Sequence, residues 1–331
     1  MTDRKQDHIK LALQSQLESI ALDTRFYYEP LLHAHPVSLR KDFAFLGKNM
    51  QAPLWISSMT GGIEKAGEIN RRLARVCKEF GLGMGLGSCR KILDSKKSWS
   101  DFDLRDEIGD QPFYANLGIA QTEELLFNGN TDKISELISD LRADGLVIHV
   151  NPLQEWFQPE GDRLSQPPLK TITELLQKVE IPIIVKEVGQ GMGPDSLRNL
   201  LELPLEAIEF AAFGGTNFSK IEMIRSDIGE HSQEPLVYVG HSAAEMVEFV
   251  NRIVSEKKSI ACKQVIISGG LRNFLDGYYL MGTCKLPSIY GHGANLLKYA
   301  SKGYRELHDY VEGQILGLRL AEAYLKVRES G

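Results

Sequence analysis

Cysteine is scarce in this chain: four thiols among 331 residues, Cys77, Cys89, Cys262 and Cys284, with no CxxC pair. Such wide separation argues against a compact zinc site or a disulfide frame and fits free thiols in a reducing compartment. Positive charge is not in excess either. Thirty-eight Lys and Arg against 44 Asp and Glu leave a net charge of -6. That balance supports neither a nucleic-acid nor a membrane partner, so a bound phosphate would need local cations and backbone amides. No apolar run approaches the roughly 20 residues of a membrane span. The opening MTDRKQDHIK lacks the apolar segment of a secretory signal. No Pro/Gly/Ser-rich linker, internal repeat or low-complexity tract divides the chain. The expectation is a cytoplasmic protein, with residues 1–331 forming a single domain.

The chain is 43% hydrophobic and 25% charged, ordinary for a globular fold. Eight short apolar runs end in glycine or polar residues: 52–62, 81–90, 112–118, 145–151, 181–189, 206–215, 264–270 and 286–293. Between them lie charged stretches with apolar positions spaced three and four apart, at 64–80, 131–143, 169–180 and 243–257. Wholly apolar strands alternating with amphipathic helices predict a parallel sheet covered on both sides. Eight such units favour a closed α/β TIM (β/α)8 barrel, whose active site lies at the C-terminal ends of the strands. Residues 1–51 form an N-terminal extension, and about 216–240 form an insertion of the length used for binding elements or lids.

Four groups of residues carry candidate chemistry. HVNPLQEWFQPEGD (149–162) follows the fourth strand and offers His149, Asn151, Gln154 and Glu155. One carboxylate among amides and an imidazole suits Mg²⁺, which keeps most of its water or takes substrate phosphate. The alternative is a turn shaped by Asn and Pro with solvated neighbours. SGGLRN and YGHGAN lie where barrels hold phosphate, although glycine also serves tight turns. Lys186 sits in an otherwise apolar strand. It reaches the barrel mouth, where it suits the N1–C2=O edge of a reduced flavin, or it pairs with an acid. Glu187 is a poor partner, because adjacent strand residues face opposite ways. Arg4, Lys5 and His8 form a cationic cluster that either closes over a diphosphate or frays in solvent. Cys89, His33 and His35 read as packing or surface residues, and no Cys–His–Asn or Ser–His–Asp arrangement is evident.

In order, the chain carries RKQDHI, FYYEPLLHAHP, ISSMTGG, GSCR, ANLG, HVNPLQEWFQPEGD, VKEVGQGM, FGGTNF and SGGLRN. Over about residues 4–275 this series resembles the type 2 isopentenyl-diphosphate isomerases. The resemblance implies an FMN-binding TIM barrel that requires Mg²⁺ and a flavin reduced by NADPH. It implies conversion of isopentenyl diphosphate to dimethylallyl diphosphate in isoprenoid biosynthesis, by a homotetramer or homo-octamer. It places FMN against Ser58, Met59, Thr60, Ser88, Asn116, Lys186 and Thr216. The flavin phosphate falls to Gly269, Gly270 and Arg272 with Gly291, Gly293 and Ala294. The substrate falls to Arg4, Lys5, His8, Arg90, His149, Asn151 and Gln154, and the metal to Glu155. Gln154 and Lys186 take the catalytic roles. The chain departs from the family at Cys89, at Phe218, at VGHSA (239–243) and in YGHGAN. Two other readings stand beside this one. The first is an FMN barrel oxidoreductase performing net hydride transfer. The second is a non-catalytic barrel that binds a phosphorylated ligand.

Overall fold

Eight parallel strands close into a barrel, in the order expected from the eight apolar runs. The structure is a computed structural model describing residues 4–38, 41–58, 64–93, 95–226, 232–256 and 260–328, with backbone alone at 4–6, 9, 64 and 65. Ahead of the barrel come β1 (Phe26–Tyr28) and the hairpin β2 (Phe43–Phe45) and β3 (Lys48–Met50). The barrel runs β4 (Leu54–Ile56), β5 (Gly83–Gly85), β6 (Phe113–Gly118) and β7 (Gly145–His149). It continues through β8 (Ile183–Lys186), β9 (Ala207–Glu209), β10 (Val265–Ser268) and β11 (Ser288–His292), and β11 pairs back onto β4. Each strand is shorter than its apolar run. The four periodic stretches form the helices Glu64–Phe80, Asp132–Leu141, Pro168–Leu176 and Ala243–Glu256.

Strand alternation divides the apolar side chains into two cores. Outward residues such as Ile56, Leu117, Ile148 and Ile267 pack against the helices. Inward residues Trp55, Tyr114, Val147, Ile184, Ala207, Ile266 and Ile289 fill the barrel. Phe45, Leu46 and Met50 join that inner cluster from the β2–β3 hairpin. The Leu46 amide donates to Gln264 Oε1 at 2.9 Å, just ahead of β10, which fixes the hairpin at the N-terminal end. Part of the N-terminal extension is therefore the barrel's plug. Another part pairs with the far end of the chain, where β1 runs antiparallel to β12 (Leu325–Val327).

The insertion contains regular structure that the sequence did not announce. Asn217 caps the helix Phe218–Arg225, its side chain accepting from the Lys220 amide at 3.0 Å, and a 3-10 turn spans Glu234–Tyr238. Among the described residues no helix is long and apolar enough to cross a membrane.

The inner core depends on glycine at Gly83, against which Trp55 packs. A Cβ at Gly83 would stand 2.7 Å from Trp55 Cε3 and 3.2 Å from Pro112 Cβ. Neither the indole nor the proline can yield without repacking. A Gly83→Ala variant should lose about 1–3 kcal/mol of stability, the usual penalty for overpacking a filled core. Chemical denaturation measures this, and an unchanged midpoint would show that Trp55 has room to move.

Candidate active site at the barrel mouth

Each strand turns polar, or to glycine, at its last inward position. Two residues beyond Trp55, Tyr114, Val147, Ile184, Ala207, Ile266 and Ile289 stand Ser57, Asn116, His149, Lys186, Glu209, Ser268 and Gly291. Over much of this layer lies a cavity of about 560 Å³, bordered by Ser57, Ser58, Lys186, Glu209, Ser268 and Gly291. That size is typical of a small-molecule or cofactor site.

Glycine shapes one side of the cavity. Gly269 and Gly270 take positive φ of 89° and 71°. A Cβ at Gly269 would lie 2.2 Å from the Ala212 backbone, so no side chain fits there. Gly293, Ala294, Thr216 and Arg272 complete this rim. The Arg272 guanidinium is largely exposed, with Nε 3.3 Å from Asp276. Two buried polar atoms at the cavity, Ser58 Oγ and His292 Nε2, have no hydrogen-bond partner among the described residues. Such orphans are uncommon and fit a site completed by a polar ligand. Burial pushes the His292 imidazole down to about 4, opposed by Asp276.

Lys186 is 5% exposed and borders the cavity. Glu187 faces away from it, as alternation requires. Its Oε2 accepts from the amides of Gly189, Gln190 and Gly191 at 2.6–2.9 Å. Burial raises this carboxyl, and those amides oppose the rise. His149 is the register partner of Lys186 on β7. Its Nδ1 lies 2.6 Å from Asn116 Oδ1, while Asn116 Nδ2 donates to the Leu86 carbonyl at 2.9 Å. With the amide so oriented, His149 donates through Nδ1 and keeps Nε2 as an acceptor.

A second group is built on the short helix Pro152–Phe157 after β7. Asn151 Nδ2 donates to Gln154 Oε1 at 3.1 Å and to Glu155 Oε1 at 3.0 Å. Glu155 Oε2 accepts from the Asp162 amide at 2.9 Å, and the Asp162 carboxylate holds Arg90 at 2.7 Å. Asn151 Oδ1 is a further buried orphan. Arg90, Asn151, Gln154 and Glu155 thus share one network. Among the described residues no group of three His, Cys, Asp or Glu stands ready for a metal. A lone carboxylate beside a free amide oxygen suits an ion that draws its other ligands from water and phosphate.

The structure leaves some expected residues apart. Ser88 is exposed after β5, and Asn116 supports His149 without bordering the cavity. Arg4, Lys5 and His8 lie on the helix Arg4–Ala12, where His8 is exposed and away from the cavity. Met59 and Thr60 lie outside the described residues, as do the side chains of Arg4 and Lys5. Cys89 is packed, and burial pushes its thiol up to about 12. The VGHSA segment is clasped by Gln190, whose Nε2 donates to the Val239 carbonyl at 2.6 Å and whose own carbonyl accepts from the His241 amide at 2.8 Å. Phe218 borders the cavity.

Two carboxylates escaped the sequence reading. Glu222, on the insertion helix, is buried with Oε1 3.5 Å from Gln154 Nε2, and Arg225 holds its other oxygen at 2.5 Å. Its spacing from Ser219 and Met223 on the buried face of that helix was the available signal. Glu209, between Ile208 and Phe210, carried the signal that singled out Lys186: a charge inside an apolar run.

No family model matches the chain. It is 32% identical over 318 residues to "Isopentenyl-diphosphate delta-isomerase" of Rickettsia felis, covering 94% of this chain and 88% of the relative. Identity to the protein of that name from Rickettsia akari is 35% over 307 residues, covering 90% and 85%. Among solved structures, a mandelate oxidase variant with a monooxide FMN adduct superposes at TM-score 0.56 and 13% identity, covering 92% of this chain and 88% of that one. A flavocytochrome b2 variant with sulfite bound gives 0.58 and 16%, covering 90% and 72%. These likenesses show the fold.

Burial and, behind it, the charge of Lys186 depress the His149 imidazole to about 3, so the neutral form prevails throughout the physiological range. NMR of the imidazole, identified by its loss in His149→Gln, should show no titration between about pH 8 and 5. A midpoint near the ordinary histidine value would contradict the assignment.

Proposed function

The chain belongs to the isopentenyl-diphosphate delta-isomerase family, and from that premise we propose how its barrel mouth interconverts isopentenyl and dimethylallyl diphosphate. Family membership makes it an isomerase and implies FMN use. The finer reading is that reduced FMN occupies the cavity, that Glu155 carries Mg²⁺, and that NADPH supplies the reducing equivalents. The adjacency of two dissimilar groups supports it above all. A glycine-walled cavity with Lys186 at its edge lies at the same barrel mouth as a carboxylate–amide network suited to a hydrated divalent ion.

The residues fit these groups. The backbone at Gly269, Gly270, Gly293 and Ala294 can approach a phosphate closely, with Arg272 as a nearby cation and Gly291 leaving space beside them. Ser58 Oγ offers an unspent hydrogen bond, Thr216 borders the same space, and Lys186 supplies positive charge for an anionic ring edge. Ser88, Asn116, Met59 and Thr60 belong to the same assignment on the strength of the motifs alone. When bound, reduced FMN supplies an electron-rich surface and an N5 that gives or accepts a proton.

The reaction adds a proton at one end of an allylic system and removes one at the other. The intervening centre is cation-like, so the site must exclude water and stabilise positive charge. Glu155 with its ion, and Arg90, neutralise the diphosphate. Asn151 holds Gln154 and Glu155 in register with each other. Gln154 orients the reacting carbons, and Glu222 fixes its amide. A neutral His149 adds no positive charge against the developing cation. Arg4, Lys5 and His8 close over the diphosphate once substrate arrives. The exposed Leu13, Leu17, Ile20, Leu31 and Val37 in the N-terminal segment support assembly into a tetramer or octamer.

Glu155→Gln should keep its yellow flavin and lose at least about 100-fold in Mg²⁺-dependent isomerisation, the cost of removing a metal-neutralised charge clamp. Normal turnover would refute the metal assignment. In the wild type, isomerisation should continue after a single stoichiometric reduction of the flavin. Steady NADPH consumption would favour net hydride transfer instead.

A further inference from the structure

Glu209 has no task in that reading. It is fully buried, yet it borders the cavity. Across β8 and β9 its register partner is Lys186, so the two oppositely charged side chains project inward from adjacent strands. Such strands run about 4.7–4.9 Å apart. Glu209 Oε1 accepts from Ser57 Oγ at 2.5 Å and from Ser268 Oγ at 3.2 Å, and Oε2 accepts from Trp55 Nε1 at 3.3 Å. An indole N–H can only donate, and Ser268 Oγ already accepts from the Ala211 amide at 3.0 Å. All three partners serve Glu209 as donors, the arrangement that acceptor oxygens require. The donors tie the head group to β4 and β10 through uncharged partners. Its charge therefore acts on Lys186 and on the cavity through space, in surroundings that screen poorly.

Volume alone does not explain this residue. An apolar side chain would fill the same position without the desolvation cost of a buried anion. We propose that Glu209 is a positioning residue for Lys186. Its fixed negative charge retains the lysine ammonium at the cavity floor and offsets the ammonium's field, setting how strongly the site prefers reduced over oxidised flavin. The inference rests on the flavin reading above and adds a charge of opposite sign to it.

The test is the midpoint potential of bound FMN, read by equilibrium reduction against a reference dye. Glu209→Gln keeps the shape and removes the charge: its single amide oxygen can accept from Trp55, while its amide nitrogen donates to the hydroxyls of Ser57 and Ser268. Its potential should rise, with the reduced flavin favoured about tenfold over wild type, the scale of one charge interacting across a protein interior. Glu209→Asp, which restores the charge, should return most of the shift. Lys186→Met should move the potential the other way, and Lys186→Met/Glu209→Gln, which buries no unpaired charge, should lie near wild type.

Yellow Glu209→Gln protein with an unchanged potential overturns the inference and leaves the flavin reading standing. So does an Asp variant that shifts as far as Gln. If Glu209→Gln does not fold, a double variant matching Lys186→Met alone is equally fatal. A wild-type protein that takes up no FMN overturns the flavin reading itself, and this inference with it.

Discussion

Charge held inside a closed barrel is the constraint on which the rest of the site depends. A (β/α)8 barrel has a packed interior, and here Trp55, Tyr114 and their neighbours fill it up to the last inward position of each strand. At that position the chain places a lysine, a glutamate, a histidine, an asparagine and two serines. None could stand one layer deeper without an unsatisfied group in an apolar core. Their height in the barrel is set by strand length and register, and it makes the mouth polar while the interior stays dry.

The site above this layer has two parts with different physics. The cavity side is made of absence: glycines at Gly269, Gly270 and Gly291 give backbone groups access that any side chain would block. The rim side is made of mutual restraint. Asn151, Gln154, Glu155, Asp162 and Arg90 hold one another through hydrogen bonds, those to Glu155 and Asp162 charge-assisted, and Asn151 Oδ1 stays unspent among the described residues. Glu222 joins the rim from the insertion, which ties that segment to the network around Gln154.

The positions that the sequence reading set apart from the family motifs have structural readings. Cys89 is a packed thiol whose amide donates to Asn116, so it supports the network through its backbone. The VGHSA segment is a wall strapped down by Gln190. His292 is a buried neutral imidazole in contact with Tyr290, a feature that the unusual YGHGAN segment brings with it.

The order of elements was legible in the residues themselves. Apolar runs ending in glycine fixed eight strands, three-and-four spacing fixed the long helices, and a lysine in an apolar strand marked the mouth. Those features are local, so periodicity and burial cost reveal them without coordinates. What the residues could not show was who faces whom. The plug role of Phe45 and Met50, the approach of Glu222 to Gln154, and the Lys186–Glu209 juxtaposition join positions far apart or strand-paired in a register that no single run encodes. Barrel closure and insertion docking decided those contacts, because only a completed sheet brings its inward side chains onto one floor.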